Sequence, residues 1–259
     1  LGSEALAADQ AQADMMSADF IPKLAAFIGK EPLRAVINAA AYTQVDKAEG
    51  EGREAAWRIN DAAVGELAAW CAAKKIPLVH YSTDYVFDGA GDKPRRENDP
   101  TGPLNEYGKS KLAGEQALAA SGSPYLLFRT SWVYDAHARN FFTTMLRLFS
   151  ERERVKVVFD QVGAPTYAPQ LAAATLSALE AALAKPQFPS GVYHLANAGE
   201  TSWHGFAGAI LALARTRLSG QKLAFLCSHI DPIPSSEYPT PARRPLNSRL
   251  DCGKAKAVL

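Results

Sequence analysis

The sequence predicts an α/β protein, a doubly wound parallel sheet followed by a smaller, mainly helical C-terminal lobe. Three observations lead there. Short apolar runs alternate with helix-patterned stretches through the first two-thirds of the 259 residues. The hydrophobic fraction, 47%, suits a packed core and excludes a disordered chain. Beyond Ala164, Pro165 and Thr166 the pattern changes to long Ala/Leu-rich helices and a tail carrying Pro232, Pro234, Pro239, Pro241 and Pro245.

Each element has its own local reason. Residues 33–39 (LRAVINA) follow a charged turn and form an apolar run, the signature of a buried parallel strand. Residues 49–74 have helical spacing, with Ala56, Ile59, Ala63, Leu67 and Trp70 on one face. Residues 76–81 read as the next strand. Residues 106–120 read as a helix whose core face is expected to be Ala113, Ala117 and Ala120. A strand over 125–128, a helix over 141–152 and a strand over 155–159 follow, then helices over 171–184 and 203–214. This divides the chain into a dinucleotide-binding unit over 1–164 and a substrate lobe over 165–259, with some strand returning to the sheet.

The formal net charge is +1, so no broad field draws the chain to nucleic acid or anionic membrane. An anionic ligand needs a local basic cluster. Cys71, Cys227 and Cys252 are far apart and show no metal spacing, which reads as reduced thiols in a cytoplasmic protein. No apolar run approaches the ~20 residues that span a bilayer. A sheet of this kind normally opens with a strand and a glycine-rich turn that receives a pyrophosphate. None precedes Asn38: Gly2 stands alone and the next glycine is Gly29. Either that strand is lost or it lies outside this sequence, and the complete downstream pattern favours the second.

Tyr107 and Lys111 form a YxxxK pair at a helix start. Residues four apart share a helix face, so the lysine can lie near the phenol. A free tyrosine titrates near ~10, and a neighbouring cation would bring proton exchange closer to neutrality. Alone, this spacing equally describes a solvated helix face. Thr83 and Asp84 follow a strand, and ligands bind beyond the carboxyl ends of parallel strands, so Thr83 can meet a substrate carbonyl. The same pair also reads as a helix cap or Asx turn. The small residues after Asn38 can form a floor for a flat ligand or a tight strand–helix contact. Asn60 is a ligand amide or a capping group. Arg243 and Arg244, in a proline-bounded loop, can fork onto phosphate oxygens or form a surface pair.

Taken in order, NAAAYTQVDKAE, Asn60, HYSTDYVFDG, PLNEYGKSKLAGE, FRTSWVY, DQVGAPT and TPARRPLNSRL resemble the extended short-chain dehydrogenase/reductases, and within them the dTDP-4-dehydrorhamnose reductases. The resemblance runs from about Ala35 to Leu250. It implies a Rossmann-type sheet and NADPH- or NADH-dependent reduction of the 4-keto group of a dTDP-6-deoxy sugar, giving dTDP-L-rhamnose. It makes Tyr107 the proton donor, Lys111 the ribose-holding lysine and Thr83 the third member of the catalytic set. Asp84 and Trp132 match substrate-side residues. Ala41, Tyr42 and Thr43 match the cofactor-contact stretch, while Asp14 and Met15 correspond to its adenine-side pair. Asn60, Arg243 and Arg244 complete the expected contacts. Some family members bridge a dimer through magnesium, using a glutamate three residues after the APT threonine. Here that position is Pro169. Magnesium could serve activity, but no convincing protein ligand set is present, and a monomer or weak homodimer is expected.

Two other readings share the fold. One is a non-catalytic regulatory subunit of the methionine adenosyltransferase type, which would bind without turnover. The other is an NAD-dependent nucleotide-sugar epimerase, which would use its cofactor without net consumption.

Overall fold

The computed structural model describes residues 5–217 and 225–259. A parallel sheet is built from β1 (Val36–Asn38), β2 (Leu78–Thr83), β3 (Tyr125–Thr130) and β8 (Gly191–His194), in the order β1-β2-β3-β8. Its register sets Asn38 opposite His80 and Thr83 opposite Thr130. The polar ends of β2 and β3 are thus side by side at the carboxyl edge.

Helices cover both faces, as the alternating pattern requires. On one side, α1 (Phe20–Ile28) and α3 (Ala63–Lys74) pack Phe20, Val64, Leu67 and Cys71 against Leu78 and Leu127. On the other, α6 (Ala168–Leu183) and α8 (Gly253–Val258) pack Leu179, Ala182 and Ala255 against Val79, Leu126 and Phe128. A second core joins α5 (Phe141–Glu151), β5 (Arg154–Val158), α7 (Trp203–Arg217) and β10 (His229–Ile233), with Phe149, Val157, Ile210 and Cys227 at its centre. Strands β5 and β10 pair in parallel. Four two-residue strands, β4 (Val133–Tyr134), β6 (Val162–Gly163), β7 (Thr166–Tyr167) and β9 (Thr201–Ser202), pair as β4·β7 and β6·β9. The two packing groups interleave along the chain. Helix α6, β8 and α8 lie after residue 164 yet cover or join the sheet, while α5 and β5 lie before it and belong to the other core. A division at 164/165 is therefore crossed in both directions.

The expected helix over 49–74 is a 3-10 turn at Lys47–Glu49, α2 (Arg53–Trp57), a π-helical turn at Arg58–Ala62, and α3. Ala56, Ala63 and Leu67 are buried as expected. Helix α4 (Glu106–Ala120) has the bounds its pattern predicts, and Asn105 caps it by accepting from Gly108 N at 2.8 Å. Its buried face differs from the alanine stripe. Ser110, Lys111, Gly114, Glu115 and Leu118 face inward, while Ala120 is exposed. Hydrogen bonds make this possible: Glu115 meets Arg129 through Nε–Oε1 at 2.9 Å and Nη2–Oε2 at 2.6 Å, and Ser110 donates to Tyr107 O at 2.8 Å.

Candidate active site

The carboxyl edge of β2 carries Ser82, Thr83 and Asp84, all buried. Thr83 takes the capping role its sequence allows. Its Oγ1 accepts from Tyr85 N at 3.2 Å, capping the 3-10 turn Asp84–Val86, and donates to Asp84 Oδ1 at 3.2 Å. Helix α4 brings Tyr107 to the same place. Gly108 permits this approach, since a Cβ there would overlap the Tyr85 carbonyl. Tyr85 meets the Tyr107 ring edge-on, with centroids 5.6 Å apart at 82°.

The electrostatics follow from burial. Burial pushes the Tyr107 phenol up to about 12, with the nearby Thr83 hydroxyl opposing. Burial likewise raises Asp84 to about 7, with the Ser248 and Thr83 hydroxyls opposing. Asp84 Oδ2, Ser82 Oγ and Thr130 Oγ1 are buried without a protein hydrogen-bond partner. They lie at the carboxyl ends of β2 and β3, where ligands of parallel sheets bind, with Ser82 and Thr130 on opposite faces of the sheet.

Lys111 corrects an expectation. Its side chain is fully buried, and its Nζ donates to Tyr81 O at 2.6 Å and lies 3.4 Å from His80 Nε2. Burial is the largest influence on the Tyr107 phenol, followed by the Thr83 hydroxyl and Asp84. One N–H of the lysine is given to the strand backbone.

Asn38, Ala39, Ala40 and Ala41 line a cavity of about 500 Å³ together with Asp14 and Met15. Sequence separation hid this meeting of the expected adenine-side pair with the expected cofactor floor. Asn60 lies outside the cavity wall and braces it. Its amide accepts from Tyr42 N at 2.9 Å, and its Nδ2 donates to Tyr42 O at 3.0 Å and to Ser110 Oγ at 3.1 Å. Gly114 lets α4 close on this turn, because a Cβ there would overlap the Asn60 carbonyl. Thr43 continues the braced loop beyond Tyr42. The cavity's small-residue wall and the orphaned hydroxyls beyond it fit a flat dinucleotide cofactor.

Trp132 follows β3 in a left-handed conformation, φ 49°, which costs about 1 kcal/mol or more for a non-glycine residue. It stacks on Trp203 with centroids 3.6 Å apart and planes 13° apart, above Gly163. The two arginines part company. Arg244 is paired with Asp46, whereas Arg243 is exposed and its carbonyl is held by Asn105 Nδ2 at 2.8 Å. The cap of α4 therefore ties Arg243 to the Tyr107 end of the helix. His80, Tyr85, Ser248 and Trp203 were not legible as site residues; each looks like ordinary core or loop when read alone. Among the described residues, no group of three or more His, Cys, Asp or Glu side chains could hold a metal ion, and no helix is long and apolar enough to cross a membrane.

The family model described as RmlD substrate binding domain matches residues 1–259. A dTDP-4-dehydrorhamnose reductase of Burkholderia thailandensis is 54% identical over 220 residues, 83% of this chain and 72% of that protein. Its counterpart in Salmonella typhimurium is 48% identical over 219 residues, 85% of this chain and 71% of that protein. The crystal structure of dTDP-4-dehydrorhamnose reductase from Bacillus anthracis in complex with NADP superposes with a TM-score of 0.84 at 31% identity, covering 96% of this chain and 82% of that one. With this match along its length, the chain belongs to the RmlD substrate binding domain family, among the Rossmann-type extended short-chain dehydrogenase/reductases.

Proposed function

We propose that this chain carries out the NAD(P)H-dependent reduction of the 4-keto group of dTDP-6-deoxy-L-lyxo-4-hexulose, giving dTDP-L-rhamnose. The relatives' shared name and the NADP bound to one of them support the reading. The observation that carries it is the meeting of Tyr107 with the hydrogen-bonded Thr83–Asp84 pair at the carboxyl end of β2, with Lys111 buried on the same helix. When bound, NAD(P)H supplies the hydride.

The chain's own residues do the rest. Ala41, Tyr42 and Thr43, braced by Asn60, with Asp14 and Met15 across the cavity, hold the dinucleotide, while Lys111 and Tyr107 take its ribose end. Trp132 and Asp84 face the sugar, and Arg243 offers a guanidinium to the diphosphate. Thr83 orients the keto oxygen, and the Tyr107 Oη keeps its proton until that oxygen gains charge, then donates it. A phenol held up at about 12 is a proton carrier across the physiological range. The same reading has the protein acting in the cytoplasm as a monomer or weak homodimer, with Cys71, Cys227 and Cys252 as free thiols.

The test is NADPH and NADH oxidation with the dTDP-4-keto sugar, product identified by chromatography. Stoichiometric oxidation with formation of dTDP-L-rhamnose is expected. Sugar conversion without net cofactor consumption would assign an epimerase, and binding without turnover a regulatory subunit.

A further inference from the structure

The two stacked indoles, Trp132 and Trp203, are held in different ways. Strand pairing brings Trp203 into place. Ser202 lies opposite Val162 in the antiparallel β6·β9 pair, so the next step of that register sets Trp203, the first residue of α7, beside Gln161. Their contact is polar and has one sense. An indole N–H only donates, so the Gln161 carbonyl faces it, and Trp203 Nε1 donates to Gln161 Oε1 at 3.1 Å. The amide NH2 is then turned to Ser235 Oγ at 3.0 Å, and that hydroxyl donates to Asp160 Oδ1 at 2.6 Å. Asp160 is fixed in turn, since both its oxygens accept from Ser235 N at 2.9 Å. Trp203 is thus gripped at its edge by a relay that ends on a carboxylate. Phe141 packs against it as well, with centroids 4.5 Å apart.

Trp132 is anchored by none of this. Its Nε1–H makes no hydrogen bond among the described residues, and Trp203 is the one ring stacked on it there. Its backbone lies at φ 49°, a conformation that a bulky residue keeps only where its surroundings hold it. Thr166 N donates to its carbonyl at 3.1 Å. Gly163 leaves room for its ring, since a Cβ there would come within 2.9 Å of Trp132 Cε2. The same Cβ would lie 3.0 Å from Ser248 Cβ, and the Ser248 hydroxyl acts on the Asp84 carboxyl. The unanchored indole therefore stands on the side of the proposed catalytic groups, and the anchored one backs it.

We propose that Trp203, held by Gln161, is a positioning residue for Trp132: it fixes the plane of that ring so that the uncovered face and free N–H of Trp132 meet the sugar of the substrate. The inference rests on the functional reading above, in which Trp132 faces the sugar. A 4-keto-6-deoxyhexose suits such a surface. Its methyl and ring C–H groups take the apolar face of an indole, and its hydroxyls take the N–H. A ring held in its binding orientation before the sugar arrives spares the complex that ordering cost. Without Trp203 the strained φ could relax and carry the indole off the cleft.

The test is a double-mutant cycle in binding, read by calorimetric titration with dTDP-L-rhamnose, dTDP and NADPH, each alone. Trp203→Leu removes the backing ring, and Trp203→Phe restores part of it. Trp132→Ala is expected to weaken dTDP-L-rhamnose roughly 10-fold, Trp203→Leu roughly fivefold and Trp203→Phe no more than about twofold. Affinities for dTDP and NADPH stay within about twofold in all three, which a general loosening of the fold would not spare. Adding Trp203→Leu to Trp132→Ala is expected to cost nothing further, because the backing ring then has nothing to hold. Should Trp203→Leu fold poorly, Gln161→Met, which keeps both rings and releases the Trp203 N–H, takes its place in the cycle with the same pattern expected. Losses that multiply in the double variant overturn the proposal, as does unchanged dTDP-L-rhamnose binding by either single variant of the cycle. A wild-type protein that binds neither dTDP-L-rhamnose nor dTDP would strike down the functional reading, and the inference with it.

Discussion

Arg244 clasps Asp46 with both terminal nitrogens, Nη1–Oδ1 at 3.0 Å and Nη2–Oδ2 at 2.8 Å, fastening the C-terminal tail to the loop that follows β1. Ala242 N adds a third contact to the same carboxylate at 3.2 Å. The Arg244 hydrogen bond is the main reason that Asp46 lies below the usual carboxylate range. One arginine of the pair is thus spent inside the protein, and the other is free at the surface.

The consequence for binding is asymmetric. Arg243→Ala is expected to weaken dTDP binding roughly 10-fold, the loss of one charged hydrogen bond, while NAD(P)H affinity stays within about twofold. Arg244→Ala is expected to cost roughly 1 kcal/mol of stability through the half-exposed ion pair. Calorimetric titration of each ligand and urea unfolding separate the two effects. If dTDP binds the Arg243 variant as tightly as the parent, the sugar nucleotide is not held by this loop.

Tyr107→Phe removes the proton and little else. The ring keeps its edge contact with Tyr85. Turnover is expected to fall by roughly 10²-fold or more with cofactor affinity retained. Near-normal kcat would take Tyr107 out of the proton transfer.

Asp84 gives a pH signature. Burial raises its carboxyl to about 7 in the folded protein, well above the ordinary aspartate range, so the native state binds that proton more tightly than the unfolded chain. The associated stability is fully present below about pH 4 and is lost as pH rises through about 7. Asp84→Asn cannot ionise. The stability of wild type relative to this variant should therefore decline between those values, read from urea unfolding on either side. A difference independent of pH would mean that Asp84 ionises freely.

Gly114→Ala tests the closeness of α4 to the π-helical turn. Alanine gains about 1 kcal/mol of helix propensity at an interior position. Its Cβ would overlap the Asn60 backbone carbonyl, and overpacking against backbone costs about 1–3 kcal/mol. A lower melting temperature is expected, together with weaker NAD(P)H binding as the Tyr42 loop loosens. A more stable variant would refute the contact.

The alternation of strands and helices was legible because burial on both faces of a parallel sheet leaves unbroken apolar runs such as 78–79 and 126–128. The ends of α4 were legible because Asn105 is a good cap. Its inner face was not. A period of alanines suggested packing, but Lys111 and Glu115 are buried instead, each matched to a partner that sequence distance conceals: Tyr81 O and Arg129. The roles expected of Tyr107 and Thr83 rest on positions the fold brings together, whereas the electrostatic relation between Tyr107 and Lys111 depends on where a long flexible side chain points. Spacing alone fixes the face it leaves from and says nothing of its end. Nothing local distinguishes His80 from a core residue, and Arg244 could not be told from Arg243 without Asp46, 198 residues away.

The π-helical turn at Arg58–Ala62 makes this part of the chain sensitive to counting. Such a turn holds one residue more than an α-helical path needs. Deleting one of the five would let the segment rewind as regular helix while the two flanks keep their faces, so α3 would hold its apolar stripe on the sheet. What would go is the wide turn from which Asn60 reaches Tyr42. A single-codon deletion here is therefore expected to loosen the Tyr42 loop and spare the packing of the helices, the reverse of a deletion in α3 itself.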